Sequence, residues 1–273
     1  MSIAARRHQR AISRPRFYVG ARCKPGPDEP NSNNLSLQWQ TGVSTFGPLA
    51  ATRAFEQTLP ATASYFTPSD VLEIPSFKDD AGGNMASYVN SMRGDAPMFI
   101  FHHEPEADYA TGAQFVSEWT SYRNAAKAAR PSVQFGMIAG GFQYRPGNNG
   151  ADGSFIPPNA DWYGFDTYRK GTDTGVNAVK PLTELVEFQT WYSFVASKGK
   201  PLWITEYGRY LLSVDESGRP GVIAADHQWL VANGFAGWMY WWSNRSNDVL
   251  EQWRFTDQPS IDAWSAVVAA HAQ

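Results

Sequence analysis

Residues 96–141 read APMFIFHHEPEADYATGAQFVSEWTSYRNAAKAARPSVQFGMIAGG. The stretch divides into three parts. APMFIFHH (96–103) is a short apolar, aromatic-rich run of strand length. ATGAQFVSEWTSYRNAAKAARP (110–131) carries Phe115, Trp119, Tyr122 and Ala126 at three- and four-residue steps, which predicts an amphipathic helix that stops at Pro131. VQFGMIAGG (133–141) is a second strand-length run. Strand, helix and strand in succession predict a parallel βαβ unit, because parallel neighbours need a crossover connection.

The same alternation extends in both directions. RFYVGA (16–21), LAATRAF (49–55) and DVLEIPSF (70–77) precede it as strand candidates, and ADWYGFDTY (160–168), KPLWITEYG (200–208) and GFAGWMYWW (234–242) follow it. LTELVEFQTWYSFVASKG (182–199), AADHQWLVANG (224–234) and the tail SIDAWSAVVAAHA (260–272) read as helices. KPGPDEPNSNN (24–34) reads as a surface loop. Eight strands alternating with helix-sized segments predict an α/β fold, a single-domain (β/α)8 TIM barrel, with an open doubly wound sheet as the alternative. At 273 residues the chain has the length that such a barrel needs. Residues 1–15 form a basic N-terminal arm, expected to be flexible, and 16–273 the one domain. Tryptophans at helical positions, including Trp119, Trp229 and Trp264, are expected to pack helices onto the barrel.

Composition narrows the function. A formal charge of −3 without long basic runs argues against a nucleic-acid partner, since phosphate-tracking surfaces need clustered Lys and Arg. No uninterrupted apolar run reaches the roughly 18 residues of a membrane helix, and the basic N-terminus lacks the apolar core of a secretory signal. A single cysteine, Cys23, excludes an intrachain disulfide.

In a (β/α)8 barrel the working residues sit at the C-terminal ends of the strands. Polar residues at those places are Arg53 in strand two, His102, His103 and Glu104 after strand four, Asp166 and Tyr168 after strand six, and Glu206 after strand seven. Strand eight ends in Trp241 and Trp242. A metal reading of HHE would need converging ligands. Adjacent His102 and His103 diverge if the strand continues, and the other histidines, His8, His227 and His271, lie in the arm or in helices. No metal or other cofactor is therefore expected. Paired Glu104 and Glu206 instead suit acid–base work, which wants two carboxyls facing one another across a pocket. Glu106 and Asp108 are expected to be helix-start acids of structural importance.

HHEP (102–105), DWYGFDTY (161–168), WITEYG (203–208) and the strand-eight tryptophans resemble the retaining glycoside hydrolases of clan A, most nearly family 26, the β-mannanase-like enzymes. The resemblance follows the order of elements over residues 16–270 and rests on these four short motifs. It implies that Glu104 is the acid/base and Glu206 the nucleophile of a retaining hydrolase acting on a β-linked polysaccharide or oligosaccharide, with the two carboxyls about 5 to 5.5 Å apart. It further implies that His103 hydrogen-bonds within the catalytic pair, that Tyr168 or Arg53 reaches Glu206, and that Trp241 or Trp242 forms an apolar platform for the sugar. Asp166 either lines the pocket or pins a loop. The Gly- and Trp-rich stretch that follows the acid/base in that family is replaced here by PEADYATGAQF (105–115), so the resemblance specifies no particular sugar. Two other functions fit the same residues: a non-catalytic carbohydrate-binding or structural barrel, for instance a virion-associated module, and a metal-dependent hydrolase built on His102 and His103.

Overall fold

The computed structural model describes residues 16–24, 34–78, 83–169, 180–209, 218–243, 253–255 and 257–272. The basic arm and nearly all of the 24–34 loop lie outside them.

Eight parallel strands close into a barrel in sequence order, β8 pairing with β1. The strands are β1 (Tyr18–Lys24), β2 (Ala51–Glu56), β3 (Leu72–Phe77), β4 (Met98–Phe101), β5 (Gln134–Gly140), β6 (Tyr163–Arg169), β7 (Leu202–Arg209) and β8 (Gly237–Ser243). Each falls on one of the eight strand candidates. The helices are α1 (Leu35–Phe46), α2 (Met85–Ser91), α3 (Gly112–Ala129), α4 (Val186–Val195), α5 (Gly218–Ala232) and α6 (Gln258–His271). The sequence reading contains neither α1 nor α2, and it starts α5 six residues late. α1 carries Gln38 and Gly42 on its buried face, so its apolar stripe is broken. α2 spans only seven residues, too few for a helical period to register. None of the described helices is long and apolar enough to cross a membrane.

Local chemistry explains where helices begin. Asn34, Thr111 and Asp257 each sit at an N-cap, and their side chains accept the backbone N–H of Leu37, Gln114 and Ser260. Each such cap is worth about 1 kcal/mol. Trp119 and Trp264 are fully buried, and Trp229 packs against the same core.

Strand alternation makes two cores. Outward residues such as Val19, Phe99, Phe135 and Ile204 meet the helices. Inward residues Ala51, Ile74, Ile100, Ile138, Trp162, Trp203 and Met239 fill the lumen. Two indoles are too large for a uniformly packed interior, and glycines on the adjoining strands make room for them. A Cβ at Gly136 would lie 2.1 Å from the Trp162 ring, and one at Gly237 would lie 2.2 Å from Trp203. The lower lumen is thus a dry plug, and polar inward residues are confined to the layer above it. Gly136→Ala should cost about 1–3 kcal/mol or more through overpacking, read as a lower urea midpoint with an unchanged slope. A midpoint within error of the wild type would contradict this packing.

Candidate active site

Above the plug, the next inward positions are polar. Arg53 and Phe55 follow Ala51 on β2, and Ser76 follows Ile74 on β3, each at the two-residue step that returns a side chain to the lumen. Asp166 and Tyr168 do the same on β6. On β7 a register irregularity pairs Asp166 with Glu206, bringing that carboxylate into the layer.

Arg53 is the hub. It has no exposed surface, and its Nη1 donates to Asp166 Oδ2 at 2.9 Å and Glu206 Oε1 at 2.5 Å. Its Nη2 donates to Ser76 Oγ at 3.2 Å. The guanidinium lies over the Phe55 ring, 4.5 Å from its centroid. Tyr168 donates its hydroxyl to the other oxygen of Glu206, and Thr205 donates to Asp166 Oδ1 at 2.6 Å. Both alternatives for the partner of Glu206 therefore hold, and Asp166 belongs to the lumen cluster.

β4 ends abruptly. His102 and Glu104 have φ of 53° and 54°, left-handed conformations that cost L-residues about 1–2 kcal/mol each. Hydrogen bonds to both neighbouring strands hold the segment, from His102 N to Phe77 O at 2.7 Å and from Glu104 N to Ile138 O at 2.9 Å. The two histidines diverge. His102 turns to Lys78 O at 2.7 Å and Asp108 Oδ2 at 2.9 Å, so both its ring nitrogens face protein oxygens and neither is free for a metal. His103 Nδ1 meets Ser76 Oγ at 3.3 Å, and its ring stands edge-on to Phe55. Burial, reinforced by the charges of Arg53 and Lys78, holds His103 well below the usual imidazole range, in its neutral form. The expected bond from His103 to a catalytic carboxyl is replaced by a link through Ser76 to Arg53.

Three carboxyls surround one guanidinium, and their hydrogen bonds differ. Asp166 and Glu206 each accept two donors. No donor among the described residues reaches the Glu104 carboxyl. Burial first, then the charge of Asp166, pushes Glu104 up to about 7, with Arg53 opposing. Burial also pushes Asp166 up, and burial, then the charge of Asp166, pushes Glu206 well above the usual carboxylate range, with Arg53 opposing in both. The three titrate as a group. Against the burial that raises Glu206, the hydrogen bonds favour Glu104 as the holder of the shared proton, because protonating Asp166 or Glu206 would weaken bonds already made.

The adjacent tryptophans separate by strand alternation. Trp241 faces the mouth, edge-on to Phe55 at 5.4 Å and to Tyr168 at 6.5 Å. Trp242 turns outward, buried against Phe46 of α1, and is not part of the cluster. Asp108 is a structural acid as expected, paired with Lys78 at 2.9 Å. Glu106 lies in the first turn of a short 3-10 helix, Pro105–Ala107, as expected, and is fully buried there, accepting the Gly140 N–H at 3.2 Å. Burial pushes its carboxyl up to about 8. The sequence reading missed Phe55 and Ser76, although counting two residues on from Arg53 and from Ile74 places both in the lumen.

No protein-family model matches the sequence, and no curated protein matches it. Solved structures do share the fold. The catalytic domain of a family 26 endo-β-1,4-mannanase from Bacillus sp. JAMB-750 superposes with a TM-score of 0.62 at 10% identity, covering 94% of this chain and 88% of that one. An endo-β-1,4-glucanase from Xanthomonas axonopodis pv. citri, a triple mutant, gives 0.56 at 11% identity, over 93% and 99% of the chains. A family 128 (subgroup III) curdlan-specific exo-β-1,3-glucanase from Blastomyces gilchristii, in complex with glucose, gives 0.55 at 14% identity, over 91% and 97%.

Because folded Glu104 holds its proton up to about 7 rather than the ordinary 4.5, its contribution to stability is complete below about 4.5 and is lost as pH rises through about 7. The urea midpoint of the wild type should therefore fall more between pH 4.5 and 7.5 than that of Glu104→Gln. Parallel pH curves for the two proteins would remove the assignment. The single domain, built on a closed (β/α)8 barrel, has the fold of these glycoside hydrolases.

Proposed function

We propose that the protein is a retaining glycoside hydrolase that cleaves a β-linked polysaccharide or oligosaccharide, with Glu206 as nucleophile and Glu104 as acid/base. The observation that carries this reading is the unequal treatment of the two glutamates. Glu206 is held by donors from Arg53 and Tyr168, the environment of an oriented carboxylate. Glu104 has no such donor and holds its proton near neutrality. An acid with a raised pKa beside an oriented carboxylate is the division of labour that glycosidic cleavage requires.

In the first step Glu206 attacks the anomeric carbon. The bond from that carbon to the glycosidic oxygen breaks, and the departing oxygen takes the proton of Glu104. Arg53 and Tyr168 fix the attacking oxygens in place, so little motion is needed to reach the reacting geometry. In the second step a water attacks the same carbon, Glu104 removes its proton, and Glu206 leaves as carboxylate. Two inversions return the original anomeric configuration. The left-handed turn at His102 and Glu104 is strain held at the acid/base by bonds to β3 and β5. Trp241 offers an apolar face to the C–H face of a pyranose.

Glu206→Gln should lower kcat by a factor of about 100 or more on any active substrate; retention of more than about a tenth of the activity would reject the nucleophile. A 2-deoxy-2-fluoro glycoside with a good leaving group should label Glu206 covalently, which a purely binding barrel would not permit. Proton NMR of the first-formed products should show retained configuration, and an inverted anomer would exclude this mechanism.

A further inference from the structure

Four arginines are buried among the described residues: Arg22, Arg53, Arg209 and Arg219. Three of them each give at least one Nη donor to a protein oxygen. Arg53 bonds Asp166, Glu206 and Ser76, Arg219 bonds Asp257 at 3.1 Å, and Arg209 bonds the Gly208 carbonyl, with Asp226 at 3.9 Å. Arg22 has only 7% of its surface exposed and makes no hydrogen bond or ion pair to a described residue. Its Nε is buried without a partner, as is that of each of the other three, but Arg22 alone has no Nη bond to a described residue. A guanidinium so largely buried with no counter-group bonded to it is costly, and proteins retain one where a partner arrives.

The surroundings of Arg22 indicate where that partner binds. Arg22 lies on β1 opposite Trp241 of β8. Its guanidinium lies over Phe55 and Phe66, 5.9 and 5.5 Å from the ring centroids. The rings hold the group by cation–π attraction and take none of its N–H donors. Phe55 is also the ring against which Arg53, His103 and Trp241 pack. One aromatic side chain therefore separates Arg22 from the guanidinium that holds Glu206. Glu73 is the carboxylate that acts most strongly on Arg22 through space, but its Oε2 is committed to Phe66 N and Thr67 Oγ1. Burial lowers the Arg22 guanidinium to about 10, and the through-space effects of Cys23, Glu73 and Glu206 only partly offset it.

We infer that Arg22 is a binding residue for an anionic group, a carboxylate or a sulfate, carried by the sugar on the Glu206 side of the cleft. The planar fork of a guanidinium matches either group in two-point contact. The substrate class is thereby narrowed from β-linked glycans in general to acidic ones. This inference rests on the reading of the cleft as a carbohydrate site, and it can be tested without turnover.

Isothermal titration calorimetry on the full chain should compare three sulfur-linked, non-hydrolysable β-disaccharides: one ending in glucuronate, one sulfated and one neutral. The wild type should bind at least one acidic ligand tenfold or more tighter than the neutral one at low salt. Which acidic ligand wins identifies the group. The preference should disappear in Arg22→Gln and survive in part in Arg22→Lys, which keeps the charge and loses the fork. Equal affinities, failure of all three ligands to bind, or a preference unchanged in Arg22→Gln would overturn the inference. Should Arg22→Gln fail to fold, the comparison of ligands on the wild type and on Arg22→Lys remains decisive. A preference for acidic ligands in a protein that hydrolyses no glycan would remove the hydrolase reading alone. Hydrolysis of neutral glycans without that preference would remove the role of Arg22 alone.

Discussion

One guanidinium organises the upper half of this barrel. Arg53 enters the lumen from β2, directly above a plug of apolar side chains, with no exposed surface. A charge so placed must be paired, and it is paired twice, with Asp166 from β6 and Glu206 from β7. Those bonds cross the lumen, so the position of the Glu206 carboxyl is tied to closure of the barrel. A third link, through Ser76, extends the network to His103 and so to the strained end of β4. Removing Arg53 would leave two buried carboxyls without their counter-charge.

The excess of carboxyls over guanidinium gives the site its chemistry. With two acids sharing Arg53 and a third nearby, full ionisation is disfavoured. The hydrogen bonds decide which group keeps a proton. Asp166 and Glu206 each accept a donor at both oxygens, and Glu104 accepts none from a described residue. The proposed acid and the proposed nucleophile differ by their neighbours and not by residue type.

Much of this architecture was legible in the sequence, for physical reasons. All eight strands are buried between lumen and helices, so each reads as a dense apolar run. Glu104 and Glu206 stand out because an ionisable residue ending such a run needs a reason to be there. α1 was hidden because Gln38 and Gly42 interrupt its buried face, and α2 because seven residues do not complete two turns. Trp241 and Trp242 could not be told apart until the register of β8 fixed which one faces inward. Glu106 was legible as a helix-start acid, but its burial was not, because only the packing of β5 against it closes it off. Arg22 passed unnoticed because the first strand candidate stops at residue 21, whereas β1 runs on to Lys24.

The most direct test of the account is a carbon-13 NMR titration of the protein with its glutamate carboxyls labelled, the two resonances assigned through Glu104→Gln and Glu206→Gln. The account predicts that Glu104 holds its proton to about 7, where burial and Asp166 place it, and that the donors from Arg53 and Tyr168 let Glu206 ionise first against the burial that pushes its carboxyl up. A Glu206 carboxyl that is still protonated when Glu104 has lost its proton would contradict it.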